Sequence, residues 1–332
     1  MRKSDLGAIF GSGRSGTTWL GALVSSHPDV AYRFEPLHRA QNLGGVAQAA
    51  RARMHHSPMA SEDLTELYEA LLVAHPELEK PPFFPKRYPM VVARGRRVLW
   101  PLARKSRAAA ALFRFLYTPK GRPFLLFKEV AEEETFRRLV QHTRIPLVYL
   151  VRHPCATVHS IVAGQRRGLM PSGRQGILGD FLKKYAPQLA ERFGGRVNTM
   201  TPHEKAALLW RATAERCWEV LGTRGNLLPV FYERLCMEPI SQLTAVLRLF
   251  GLDMESQVLR FLEASTGKRM TRARLSFGEI GISDYFSVFR DPAQSMSHWK
   301  RALDPAERKR IMKLVEDSPV FAAGMHEASW DE

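Results

Sequence analysis

The sequence predicts an α/β fold, a three-layer sandwich with a central parallel sheet flanked by helices. Three observations predict it. Short apolar runs alternate with amphipathic stretches along the chain, the pattern of strand–helix–strand units. The strongest run, "IPLVYLV" (145–151), is apolar throughout, as in a strand buried on both faces. The first run ends in "FGSGRSGTTWL", a glycine-rich turn into a helix, as in sandwiches of the phosphate-loop (P-loop) type.

The elements follow in order. "LGAIF" (6–10) is the first strand and "TTWLGALVSS" the helix after it, ending before His27 and Pro28. "DVAYRFEP" alternates and stops at Pro36, so a second strand ends near Phe34 or Glu35. Residues 39–123 read as a helical and irregular elaboration within a single domain spanning 1–332. "FLLFKEV" (124–130) is a strand, and "EEETFRRLVQHT" a helix with acidic residues in its first turn. "ATVHSIVAGQRR" is the helix after 145–151, and glycines with a proline make 168–179 a loop. "TPHEKAALLWRATAERCWEVL" opens with a capping box, Thr201 and Glu204, and proline at its first position. "NLLPVFYE" (226–233) is a strand whose proline suits a sheet edge. "PISQLTAVLRLFGL" is a helix closed by Gly251, and Asp304, Pro305 and Glu307 start a final helix.

The chain has 332 residues, 45% of them hydrophobic, and a net charge of +16. It has no apolar run near the roughly 18 residues of a membrane span. "MRKSDLGAIFGSG" enters the glycine loop within eleven residues, leaving no room for a signal peptide. Cys155, Cys217 and Cys236 have neither disulfide-framework nor zinc spacing. A cytoplasmic protein without a metal is expected. Thirteen basic residues and no acidic one lie between Glu79 and Glu129. Such a stretch attracts polyanions or anionic membrane surfaces, or forms a solvated basic face. It contains no recognised nucleic-acid module, and no nucleic-acid partner is expected.

The glycine loop admits three readings. Gly11, Gly13 and Gly16 spell G-x-G-x-x-G, and Glu35 lies nineteen residues after Gly16, where a dinucleotide fold places its acidic residue. The added hydroxyls and Arg14 are donors that a dinucleotide does not need. A nucleotide triphosphatase or kinase needs lysine where Thr17 stands, to bridge the β and γ phosphates. The third reading is a nest for another phosphoanhydride. Here Gly13, Arg14, Ser15 and Gly16 form the loop, Thr17 and Thr18 donate hydroxyls, Arg14 reaches forward to a charge beyond, and Trp19 offers a flat face for adenine. A second anion site follows the strongest strand. "LVRHPCATVHS" puts Arg152 at the strand's carboxyl end and Ser160 eight residues on, facing the same crevice. Two phosphate sites around an adenine platform suit a ligand phosphorylated at both 3′ and 5′ positions.

With "GSGRSGTTWL" and "LVYLVRHPCATVHS" in this order, the chain resembles sulfotransferases that use 3′-phosphoadenosine-5′-phosphosulfate (PAPS) and release adenosine 3′,5′-bisphosphate (PAP). "PVFYERLCMEPISQLTAVLRLFGL" and "SMSHWKRALDPAERKRI" are weaker echoes, and "FEPLH" and "HWKRAL" make it most similar to the carbohydrate branch. The resemblance implies in-line sulfonate transfer to a hydroxyl or amine of a carbohydrate, glycolipid or polysaccharide, with no metal. It assigns Arg14 to the leaving phosphate, where many relatives have lysine, and Glu35 to proton removal, with His38 in reserve. Lys128 would stand near the sulfonate, with its neighbour Glu129 as another base, and Arg152 and Ser160 would hold the 3′-phosphate. Tyr232, Lys300 and Arg301 fall in regions that approach the cofactor in relatives. The basic stretch 80–128 is expected to choose the acceptor or to rest on an anionic membrane. A non-catalytic polyanion-binding relative is the competing class.

Overall fold

The computed structural model describes residues 4–39, 61–222, 225–267, 270–279 and 282–330. Among them, strands β1 (Leu6–Gly11), β2 (Val30–Phe34), β3 (Phe124–Val130), β4 (Leu147–Val151) and β5 (Leu227–Phe231) form one sheet. Every pairing is parallel, and the order is β2-β3-β1-β4-β5. β5 is therefore an edge strand, where Pro229 withholds no ladder hydrogen bond from a central position.

Helices cover both faces. After β1 comes α1 (Thr17–Ser25), and after β2 the short α2 (Pro36–Arg39). The elaboration carries α3 (Ser61–Leu72), α4 (Arg96–Ala103) and α5 (Arg107–Tyr117); residues 40–60 of the expected elaboration lie outside the described residues. α6 (Glu133–His142) links β3 to β4, and α7 (Pro154–Arg166) leaves β4. Next come α8 (Leu178–Tyr185), α9 (Pro187–Phe193) and α10 (Pro202–Trp218). β5 runs into α11 (Tyr232–Met237), followed by α12 (Pro239–Leu249), α13 (Ser256–Thr266), α14 (Met270–Ser276), α15 (Pro292–Ala302), α16 (Pro305–Val315) and α17 (Pro319–Ala328).

Strand alternation divides the core. Ala8, Phe10, Leu125, Phe127, Leu147 and Tyr149 point into one layer, with side chains of α6, α7, α10 and α16. Ile9, Phe124, Leu126, Val148 and Leu150 point into the other, with α1, α12 and α13. A third, small core of Ala74, Ala103, Phe113 and Tyr117 belongs to the elaboration.

Three expectations are corrected. The stretch 168–179 is not all loop: a 3₁₀ turn covers Gly173–Ile177 and α8 begins at Leu178. The helix starting at Pro305 is not the final one, because α17 follows, with the Ser318 hydroxyl accepting from the Val320 amide. The basic stretch is also less of a field than its count suggests. Arg87 pairs with Asp29 and Glu255, Arg96 with Glu79, Arg104 with Glu77, Arg122 with Asp5, and Lys128 with Glu35. Helix α10 begins as expected, with both capping-box hydrogen bonds present between Thr201 and Glu204. No helix among the described residues is long and apolar enough to cross a membrane.

Candidate active site

The carboxyl ends of β1, β2, β3 and β4 open into one cleft of about 970 Å³. Its floor is the turn from β1 into α1. Gly16 has φ +101°, and a Cβ there would stand 2.4 Å from the Tyr232 ring, so only glycine fits against that tyrosine. α1 starts with no side-chain cap and no acidic residue in its first turn. The amides of Gly16, Thr17 and Thr18 find no main-chain acceptor among the described residues. An open helix N-terminus with spare N–H groups attracts an anion. Backbone strain gathers here too: Arg14, Glu35 and Ala131 all line the cleft with positive φ (71°, 50° and 59°).

Cations meet above this floor. Arg14 donates from Nη2 to the Tyr285 carbonyl at 2.7 Å and from Nε to Ser160 Oγ at 3.1 Å. Its guanidinium lies 4.0 Å from the centre of the Tyr285 ring. Arg290 donates to the same Tyr285 carbonyl, so two guanidinium groups share one neutral oxygen. Arg152, 9% exposed, donates to the Arg14 and Ser295 carbonyls, lies over the Tyr232 ring at 4.6 Å, and leaves a buried Nε unpartnered. None of these three arginines has a carboxylate within ion-pair distance among the described residues. Burial, then the neighbouring Arg290 and Arg152, push the Arg14 pKa down to about 10, still a cation at neutral pH.

The opposite side of the cleft holds Glu35 and Lys128. The Phe34–Lys128 register of β2 and β3 brings them together, and Lys128 Nζ donates to Glu35 Oε1 at 2.5 Å. Lys128 is 2% exposed and Glu35 is half-buried. Glu129 cannot share this position, because strand alternation turns it to the other face. There it is fully buried and accepts from the Leu37 amide, and burial pushes its pKa well above the usual carboxylate range.

Several expected site residues stand elsewhere. Arg14 itself lines the cleft, its side chain held by Ser160 and the Tyr285 carbonyl while its own carbonyl accepts from Arg152. Ser15 is buried, with its Oγ turned towards Gly11, whose Cβ would meet it at 2.8 Å. Trp19 lines the cleft and is 9% exposed; its indole N–H donates to Ser265 Oγ and its ring makes a T-shaped contact with Tyr232. Lys300 and Arg301, on the last turn of α15, are exposed and do not line the cleft. Their neighbour Trp299 is the inward residue, stacked 4.4 Å from His153. The His38 side chain lies outside the described residues. Gly13, Thr17, Thr18, Arg152 and Tyr232 line the cleft as expected, and Ser160 reaches it through its bond to Arg14. Arg290 and Tyr285 carried no motif in the sequence; a lone arginine before a helix becomes informative only when the fold places it.

An α/β sandwich with an open helix N-terminus and convergent, carboxylate-free arginines defines a protein built to hold a polyvalent anion. A model of the sulfotransferase family matches residues 8–256, and the chain belongs to that family. No curated protein matches it. Similar solved structures include the sulfotransferase domain of the Synechococcus PCC 7002 olefin synthase, at 18% identity, covering 96% of this chain and 94% of that one, with a TM-score of 0.44. The sulfotransferase domain of the curacin biosynthetic pathway has 16% identity, 95% and 99% coverage and a TM-score of 0.49. A mouse sulfotransferase complexed with PAP has 13% identity, 98% and 89% coverage and a TM-score of 0.49.

Proposed function

We propose that the protein transfers a sulfonate group from PAPS to a hydroxyl of a carbohydrate or glycolipid. One observation carries this reading beyond family membership: Arg14, Arg152 and Arg290 converge on one cleft with only neutral oxygens as partners. Cations wholly or partly withdrawn from water and left without anions favour a ligand that brings several negative charges.

The residues fit such a donor. The amides of Gly16, Thr17 and Thr18 and the Thr17 and Thr18 hydroxyls hold the 5′-phosphate. Arg152 and Ser160 hold the 3′-phosphate. When bound, the donor supplies a sulfonate already activated by its anhydride bond. Glu35 takes the proton of the acceptor hydroxyl as the new O–S bond forms. Lys128 holds Glu35 in place through its ion pair and faces the sulfonate oxygens. Arg14 exchanges the Tyr285 carbonyl for the phosphate oxygen on which the S–O bond leaves its electron pair. The acceptor enters beside Trp100, Glu77 and Arg104, which wall the Glu35 end of the cleft and suit a polar, hydroxyl-rich molecule with an apolar sugar face.

Calorimetric titration of PAP, ATP–magnesium and NADPH into wild type and Arg152→Ala tests the reading. PAP should bind in preference to the other two, and Arg152→Ala should weaken it about 100-fold, the usual loss for removing one partner of a buried charged contact. Preference for ATP–magnesium would overturn the function. PAP binding unchanged in Arg152→Ala would overturn the site.

A further inference from the structure

The α4–α5 hairpin has an outer face that the cleft does not use. Helical phase divides α4: Trp100 and Arg104, one turn apart, line the cleft. Val98 and Leu102, also one turn apart and about half a turn round from Trp100, are 72% and 56% exposed. α5 repeats the division. Phe113 and Tyr117 fill the elaboration's own core, whereas Ala108, Ala111, Leu112 and Phe115 follow one another at helical spacing along an exposed stripe. Phe115 is 68% exposed. The Val91 and Val92 amides both approach the Leu116 carbonyl (3.1 and 3.4 Å), setting two more exposed valines beside the end of this stripe.

Cations surround it. Arg94, Lys105, Arg107, Arg114 and Lys120 are exposed and make no ion pair among the described residues. Arg87, Arg96, Arg104 and Arg122 of the same stretch all have carboxylate partners. Among the described residues Arg97 and Lys86 lack a carboxylate too, but donate to the Ser276 and Phe83 carbonyls and to the Ser25 and His27 carbonyls, away from the stripe.

We propose that this face docks on an anionic lipid bilayer. A helix apolar on both sides needs a second apolar partner. A bilayer supplies one to Val98, Leu102, Leu112 and Phe115, while its headgroups meet the five cations. A second copy of the chain would bring cations against cations, and a soluble polyanion would leave Phe115 and Val98 in water. Because the opposite side of α4 walls the cleft, docking would hold the acceptor entrance next to the headgroup layer. Lipid binding is measured without donor or acceptor, so it stands or falls separately from the sulfonate reading.

Co-sedimentation tests it, using phosphatidylcholine vesicles with and without about one-third phosphatidylglycerol. The protein should sediment with the anionic vesicles only, and be released on going from about 0.1 M to about 1 M salt. Joint Leu112→Ser and Phe115→Ser should lower the partition coefficient about tenfold with near-ultraviolet circular dichroism unchanged. Joint Arg107→Glu and Arg114→Glu should lower it by at least roughly tenfold. Phe115→Trp should retain binding, with indole emission shifting to the blue on vesicles. Failure to sediment with anionic vesicles would overturn the proposal. So would a serine pair that binds vesicles as well as wild type while both are retained on heparin, the behaviour of a polysaccharide site.

Discussion

Two groups of arginines, each built around a buried one, have opposite chemistry in this molecule. Arg33 and Arg96 flank Glu79, which bonds to both, and Arg33 also donates to the Tyr32, Leu71 and Leu72 carbonyls. That cluster has its counter-charge within the chain, one carboxylate shared by two guanidinium groups, and fastens β2 to the elaboration. Arg152 is likewise buried and Arg14 and Arg290 are half-buried, yet only carbonyls, a hydroxyl and aromatic faces answer them. The first group is complete when the chain folds. The second is complete only when an anion arrives. Where the compensating charge comes from separates a structural arginine from a binding one, and the number of arginines does not.

Removing the internal anion is the strongest way to test that contrast. Glu79→Gln leaves Arg33 and Arg96 uncompensated and should destabilise the fold by about 3–5 kcal/mol in denaturant unfolding, with PAP affinity of the folded fraction unchanged. PAP at about 100 times its Kd should stabilise wild type by about 2.7 kcal/mol in the same assay. Arg152→Met should lose that stabilisation while its ligand-free stability stays level or rises, since an unpartnered buried Nε is removed. If Arg152→Met unfolds like Glu79→Gln, the two groups are alike and the contrast fails.

A smaller effect comes from His153, beside Arg152. Burial, then Lys300 and Arg152, push its pKa down to about 3, and its Nδ1 accepts from the Cys155 amide. The folded protein therefore keeps His153 neutral, whereas the unfolded chain takes up a proton below about pH 6.5. Stability should fall with pH in that range, by about 2 kcal/mol from pH 6.5 to pH 5. His153→Gln should flatten that slope in urea titrations at several pH values.

Local signals made much of this legible. The apolar runs 6–10, 124–130 and 145–151 became strands because alternation and burial are written into consecutive residues. The same period of two separates Lys128 from Glu129, and it was available in "FLLFKEV" before any fold was known. Helical phase likewise turns Lys300 and Arg301 outward once Trp299 faces in. What the sequence could not display were partnerships set by distant chain segments: Arg290 meeting Arg14 at the Tyr285 carbonyl, Glu79 between Arg33 and Arg96, and Trp19 turned to Ser265. Such pairings depend on loop closure and packing, and no spacing encodes them.

The open first turn of α1 has a further consequence. A helix whose leading amides await an outside acceptor is finished by its ligand, as a keystone finishes an arch. Donor supply would then be recorded in the backbone itself, as slower hydrogen exchange at Gly16, Thr17 and Thr18, the groups that the anion caps.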